Sequence, residues 1–189
     1  GAQQIVFGVA PRLNAVGRMG GAEDAVQLLL TRSAREADAL AELVERLNLE
    51  RRTVQRRLLG SLPPHDGSAF DLVMAPEAHK GVIGIVAGQR MRENGVPTAV
   101  CTVQDRVAHG SLRAPEGYDL SALLELARPF LRSGGGHKSA AGMSFDLARL
   151  PFVREAMLRG AAQQAREMIP PALALDGRSV DLVPSAPDL

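Results

Sequence analysis

Hydrophobic spacing changes twice along this chain and divides it into three parts. Between residues 33 and 60, apolar side chains recur at Leu40, Leu43, Val44, Leu47, Val54 and Leu58, the three-and-four spacing of a single helical face. Ser33-Ala34-Arg35-Glu36 has the capping-box pattern that opens a helix, and Gly60 is expected to stop it. A helix of about 25 residues is nearly 40 Å long, which in a short chain suits a connector or brace better than a core element. Ahead of it, Gly20-Gly21 precede a short helical pattern over Ala22–Leu30, with Glu23 and Asp24 in the first turn, where acids suit the helix dipole.

Ser61–Ser68 holds Pro63-Pro64 and Gly67 and reads as a linker. Beyond it the pattern predicts a strand at Ala69–Met74, a helix at Gly81–Glu93 closed by Gly95, and a strand at Thr98–Val103. Strand, helix, strand in that order is a βαβ unit with parallel strands. Gln104-Asp105-Arg106 is a tight turn into a third strand, Val107–Leu112, which makes the sheet mixed. A helix over Leu120–Leu131, a glycine run, a short strand at Met143–Phe145 and a last helix over Phe152–Ile169, ended by Pro170-Pro171, complete the expectation. The fold class is therefore α/β.

Composition narrows the function. The 22 Lys and Arg nearly balance the 21 Asp and Glu, so any site for a polyanion has to be local rather than a property of the whole surface. Aromatic residues make up 3% with no Trp, too few for a base-stacking platform. The one cysteine, Cys101, excludes an internal disulfide or a multi-cysteine metal site and sits in an apolar run as strand filler. No stretch is long and apolar enough to span a bilayer, so the expected compartment is the cytoplasm, with no membrane partner. The opening residues begin mid-pattern, as those of an excised fragment would.

Four segments combine glycine with groups suited to an anion. Ala10–Met19 carries Arg12, Asn14 and Arg18 just ahead of a helix, where guanidinium forks and free amides suit phosphate; a structural turn with exposed arginines is the alternative. His79–Ala87 lies between strand and helix, at the end of a parallel strand where ligands favour binding, although Gly81 and Gly84 would equally allow close packing. Ser111 and Arg113 are two apart on a strand, share a face, and make a two-point phosphate clamp or simply a polar edge. Gly134, Gly135 and Gly136 can present consecutive amides to an anion, with His137 beside them as a phosphate donor or a surface cap. The arginines of the long helix, Arg46, Arg51, Arg52, Arg56 and Arg57, alternate with Glu42, Glu45 and Glu50; this is a solvated, salt-bridged face or a strip facing DNA.

Together these segments resemble a known family. Gly135-Gly136-His137-x-x-Ala140-Ala141-Gly142 is similar to the GGHxxAAG motif of DHHA1 domains. Ala10–Met19 resembles the PR-x-NA-x-GRM signature of RecJ-type single-strand-specific exonucleases, in the DHH/DHHA1 phosphoesterase superfamily. His79–Ala87 resembles their HxGVIGIVA segment, and Gly110-Ser111-x-Arg113 their GSxR. The order matches, and the likeness runs from about residue 5 to 170. Two positions depart from the pattern: Ala78 stands where a Trp is common, and Leu112 where a small residue is usual.

The resemblance implies a DHHA1-like mixed sheet with flanking helices, preceded by a long connector helix. Residues 1–32 would end a DHH domain, 33–60 form the connector, 61–170 the DHHA1 domain, and 171–189 begin an oligonucleotide-binding-type module. It implies a 5′-to-3′ exonuclease on single-stranded DNA, active in recombination and repair with Mn²⁺ or Mg²⁺ on the DHH domain. No Asp-His-His triplet occurs here, so no metal ligand is assigned in this chain and the fragment alone is expected to be inactive. Arg12, Asn14, Arg18, His79, Ser111, Arg113 and the amides of Gly134–Gly136 are the expected phosphate binders, and His137 the expected catalytic group. Two rivals are a phosphoesterase of the same superfamily acting on short oligonucleotides or cyclic nucleotides, and a scaffold that binds DNA without cutting it.

Overall fold

A computed structural model describes residue 3 and residues 8–168. Three helices come first: α1 (Ala10–Met19), α2 (Glu23–Leu30) and the connector α3 (Ala34–Ser61). The domain that follows is β1 (Asp71–Met74), α4 (Lys80–Asn94), β2 (Thr98–Gln104), β3 (Val107–Arg113), α5 (Leu120–Ala127), β4 (Ser133–Gly136), β5 (Ala140–Asp146) and α6 (Leu150–Glu167). The expected tail module, and the end of the last helix at Pro170, lie outside the described residues.

The connector begins as the capping pattern predicts. The Ser33 hydroxyl accepts from the Glu36 amide at 3.3 Å. The reciprocal half of the box is absent: Glu36 instead takes hydrogen bonds from Gln27 at 2.6 Å and from the Thr31 hydroxyl, tying α2 to α3. Gly60 lies inside the helix and does not stop it. The stop is Leu62, held extended at ψ 144°, the conformation forced on a residue that precedes proline.

The five strands run in the order β1-β2-β3-β5-β4. β1 and β2 are parallel, with α4 as the crossover, and every other pair is antiparallel, so the mixed sheet is as expected. Asp105 and Arg106, at φ 50° and 63°, connect β2 to β3 as a two-residue turn with both central residues left-handed, the geometry whose twist matches a hairpin.

Each sheet face has its own apolar core. On one, α5 and α6 cover Leu72, Ala99, Cys101, Ala108, Leu112, Met143 and Phe145. On the other, α4 brings Val82 and Val86 onto Val73 and Val100, and Leu58 of the connector joins them. At that junction Asp71 and Arg90, 4% and 6% exposed, form a two-pronged ion pair of 2.8 and 3.1 Å. Asn94 donates to Asp71 at 3.0 Å. Arg90 spends its remaining fork on the Pro63 carbonyl at 2.9 Å, which anchors the linker to the sheet.

Three expectations need correction. Ala10–Met19 is itself a helix rather than a turn ahead of one, with Pro11 in its first turn, where proline is tolerated. The helix from Leu120 ends at Ala127 and tightens into a 3₁₀ turn over Arg128–Phe130, because Pro129 cannot continue the hydrogen-bond ladder. The glycine run forms the edge strand β4, and its partner β5 begins at Ala140 rather than Met143. Three successive extended glycines alternate their amides, so they do not form a nest of convergent donors.

Candidate nucleic-acid interface

Alternation along β3 sets the floor of the site. Ala108, Gly110 and Leu112 point into one core, while His109, Ser111 and Arg113 face the side that carries α4. Pairing extends that side as a row: Val100 opposite Ser111, Ser111 opposite Gly142, and Gly142 opposite Gly135. α4 covers Val100, but Gly142 and Gly135 are exposed. The sheet surface beyond α4 is therefore floored by glycine backbone, with Ser111 and Arg113 at its wall.

α4 approaches this floor closely because it carries glycine where it meets the arginines. A Cβ on Gly84 would stand 2.9 Å from the Ser111 hydroxyl and 3.1 Å from Arg113 Nη2. A Cβ on Gly81 would collide with the main-chain carbonyl of Arg18, so the end of α1 rests directly on the start of α4. Arg18 also reaches the Gly81 carbonyl, at 3.4 Å. The GVIG segment thus acts as a spacer that lets α1, α4 and β3 meet.

The electrostatics of that meeting point are one-sided. Among the described ion pairs, none involves Arg18, Arg51 or Arg113. Burial first, and then the charge of Arg18, pull the Arg113 guanidinium below its ordinary pKa. Burial, then Arg52 and Arg18, do the same to Arg51. Arg51 bonds Asn48 at 2.8 Å and Gln55 at 2.9 Å, yet its Nε is buried without a partner. Like charges held together and partly desolvated are costly unless an anion completes them.

The expected site residues divide accordingly. Arg18, Ser111 and Arg113 are brought together. Arg12 is taken by Glu45 of the connector and by the Gly8 carbonyl, which makes it a brace between α1 and α3. Asn14 is exposed on α1. His79 caps α4, its Nδ1 accepting from the Gly81 amide at 3.1 Å; that bond fixes the ring as the Nε2–H tautomer and leaves Nε2 as the free donor. His137 is exposed, and its amide donates to the Ala140 carbonyl at 2.8 Å at the tip of the β4–β5 hairpin. The two histidines are not brought together. His79 belongs to the end of the sheet where the Thr102 hydroxyl reaches the Ala78 carbonyl, and Thr102 lies opposite His109. His137 belongs to the end where Ala140 lies opposite Arg113.

The three glycines have separate reasons. A Cβ on Gly134 would strike Leu131 at 2.9 Å in the core, one on Gly135 meets nothing, and Gly136 has φ 150° with Ala141 Cα 2.5 Å from a Cβ. The His137–Ala140 bond sets the ladder parity, so Gly134 and Gly136 turn their amides to the open edge. Arg128 reaches the Gly134 carbonyl on that edge at 3.2 Å.

A DHHA1 domain model matches residues 68–163, the sheet and its flanking helices. The chain belongs to the DHHA1 family, among its RecJ-type members. It is 39% identical over 152 residues to the single-stranded-DNA-specific exonuclease RecJ of Thermus thermophilus, covering 79% of this chain and 22% of that protein. To RecJ of Bacillus subtilis it is 32% identical over 159 residues, covering 80% and 20%. The crystal structure of Thermus thermophilus RecJ with Mn²⁺ superposes with a TM-score of 0.76 at 34% identity, over 87% of this chain and 25% of that one. The DHHA1 chain thus spans about a fifth of the length of these curated relatives. Sequence reasoning left Arg51 on a face that was either solvated and salt-bridged or turned to DNA, because nothing in the sequence shows that its Nε is buried. Among the described residues, no group of three or more His, Cys, Asp or Glu side chains is placed to hold a metal ion, and no helix is long and apolar enough to cross a membrane.

Proposed function

We propose that this chain is the substrate-holding part of a RecJ-like 5′-to-3′ single-stranded-DNA exonuclease that serves recombination and repair in the cytoplasm. Arg18, Ser111 and Arg113 bind backbone phosphate, and the glycine floor lets the strand lie against the sheet. The observation that carries the reading is the Arg113 guanidinium, partly desolvated beside Ser111 with the charge of Arg18 near it and no carboxylate among the described ion pairs. Its chemistry asks for an anion, and relatives of high similarity carry single-stranded DNA in their names.

Hydrolysis is assigned to residues outside this chain. Two-metal phosphodiester cleavage needs clustered carboxylates, and the described side chains do not fit such a site. Mn²⁺ or Mg²⁺ would sit on a DHH domain. His137, on the exposed hairpin tip, is the group of this chain proposed to meet the scissile phosphate. The His79 Nε2–H is available as a further donor.

The test is incubation of the chain with labelled single-stranded DNA and Mn²⁺. The expected result is binding with the strand left intact. Turnover that copurifies with the chain and disappears on mutating one of its residues would overturn the assignment. Cleavage confined to two- to five-nucleotide substrates would favour the short-substrate phosphoesterase.

A further inference from the structure

Beyond the clamp, Arg92 is a cation with no carboxylate partner among the described ion pairs. Arg92 lies on the last turn of α4. Helical side chains lean toward the N-terminus, over the residue four before, and that residue is Gly88. A Cβ on Gly88 would lie 3.6 Å from Arg92 Nη1 and 3.7 Å from Arg113 Cγ. The two arginine side chains therefore meet over Gly88, which is buried and has no side chain to separate them. Arg92 is exposed and is in none of the described ion pairs. The nearby carboxylate of Glu93 is turned to Gln89, at 2.9 Å.

Along α4, Gly81 meets the main chain of Arg18, whose guanidinium reaches the Gly81 carbonyl at 3.4 Å, Gly84 meets Arg113 Nη2, and Gly88 meets Arg113 Cγ and Arg92 Nη1. Seven residues of helix separate the first and last of these points, about 10 Å. That span exceeds what a single phosphate can bridge.

We propose that Arg18, Arg113 and Arg92 form a row along α4 that takes successive backbone phosphates, with Arg92 holding a phosphate beyond the one at Ser111 and Arg113. This rests on the phosphate-binding reading above and adds a subsite to it. The partner is the sugar–phosphate backbone of a single strand, since an isolated phosphate would need only one of the two positions. Arg92 is a binding residue that sets how many nucleotides are gripped, and it acts in the direction of the α4 C-terminus.

The experiment is a salt titration of single-stranded oligothymidylate binding to the whole chain, with a dinucleotide and with an oligomer of about ten nucleotides, within the span typical of single-strand grooves. For the longer oligomer, Arg92→Ala is expected to lower the slope of log affinity against log salt by about 0.7, one phosphate contact on a single strand. Arg92→Lys restores the slope, and the dinucleotide shows no change. Melting temperature, read in parallel, confirms that each variant is folded. If Arg113→Ala weakens the longer oligomer while Arg92→Ala leaves its slope unchanged, the added subsite is wrong and the clamp stands. If the wild-type chain binds neither oligomer, the phosphate-binding reading fails, and this inference with it.

Discussion

Arg90 and Arg92 are two residues apart on one helix and make opposite use of the same side chain. Arg90 points into the domain, where Asp71 neutralises it with two hydrogen bonds and the Pro63 carbonyl takes a third. Arg92 points outward over Gly88 toward Arg113, and no carboxylate in the described ion pairs meets either of them. The first arrangement is complete and holds the linker against the sheet. The second lacks its anion. The role of an arginine here is decided by its counterions and not by its place in the helical pattern.

The largest effect separates the two groups by stability. Arg90→Met takes the guanidinium from a buried Asp71 carboxylate, leaving it the Asn94 amide, and removes the donor to Pro63, so a loss of about 3–5 kcal/mol is expected in denaturant titration. Arg92→Ala, on an exposed turn, should change stability by no more than about 0.5 kcal/mol. Equal and small effects would show that the buried pair does not anchor the linker.

The glycine run sharpens the same distinction at smaller magnitude. Gly136→Ala places a Cβ against backbone at φ 150°, a strained conformation expected to cost about 1–3 kcal/mol. Gly135→Ala meets open space and should leave stability within about 0.5 kcal/mol. It should still weaken single-strand binding, because the methyl group rises from the glycine floor. Binding unchanged by Gly135→Ala would remove that floor from the interface.

Much of the architecture was legible because local rules and packing agree. Ser33 caps the connector, the Asp105-Arg106 turn joins β2 to β3, and the βαβ unit reads directly from apolar runs. Where the reading missed, tertiary context had the deciding vote. Gly134, Gly135 and Gly136 look alike in sequence, yet one avoids Leu131, one faces open space and one sits at φ 150° against Ala141. Arg12 resembles a phosphate ligand until Glu45 arrives from 33 residues away. The Asp71–Arg90–Asn94 group leaves no periodic signal, since its members lie 19 and 23 residues apart. Of the site, Arg18, Ser111 and Arg113 were legible from their motifs; Arg51 and Arg92 depend on which neighbours lack a carboxylate.

Arg113 is the centre of the site, its charge partly buried beside Ser111 and without a carboxylate among the described ion pairs. Its most direct test is the affinity of the chain for single-stranded DNA, wild type against Arg113→Ala, measured from low to high salt. A charge-assisted phosphate contact contributes about 1.5–3 kcal/mol, so the variant should bind roughly ten- to a hundredfold more weakly at low salt. The gap should close as salt rises, with the melting temperature unchanged. Equal affinity of the two proteins at low salt would contradict the account.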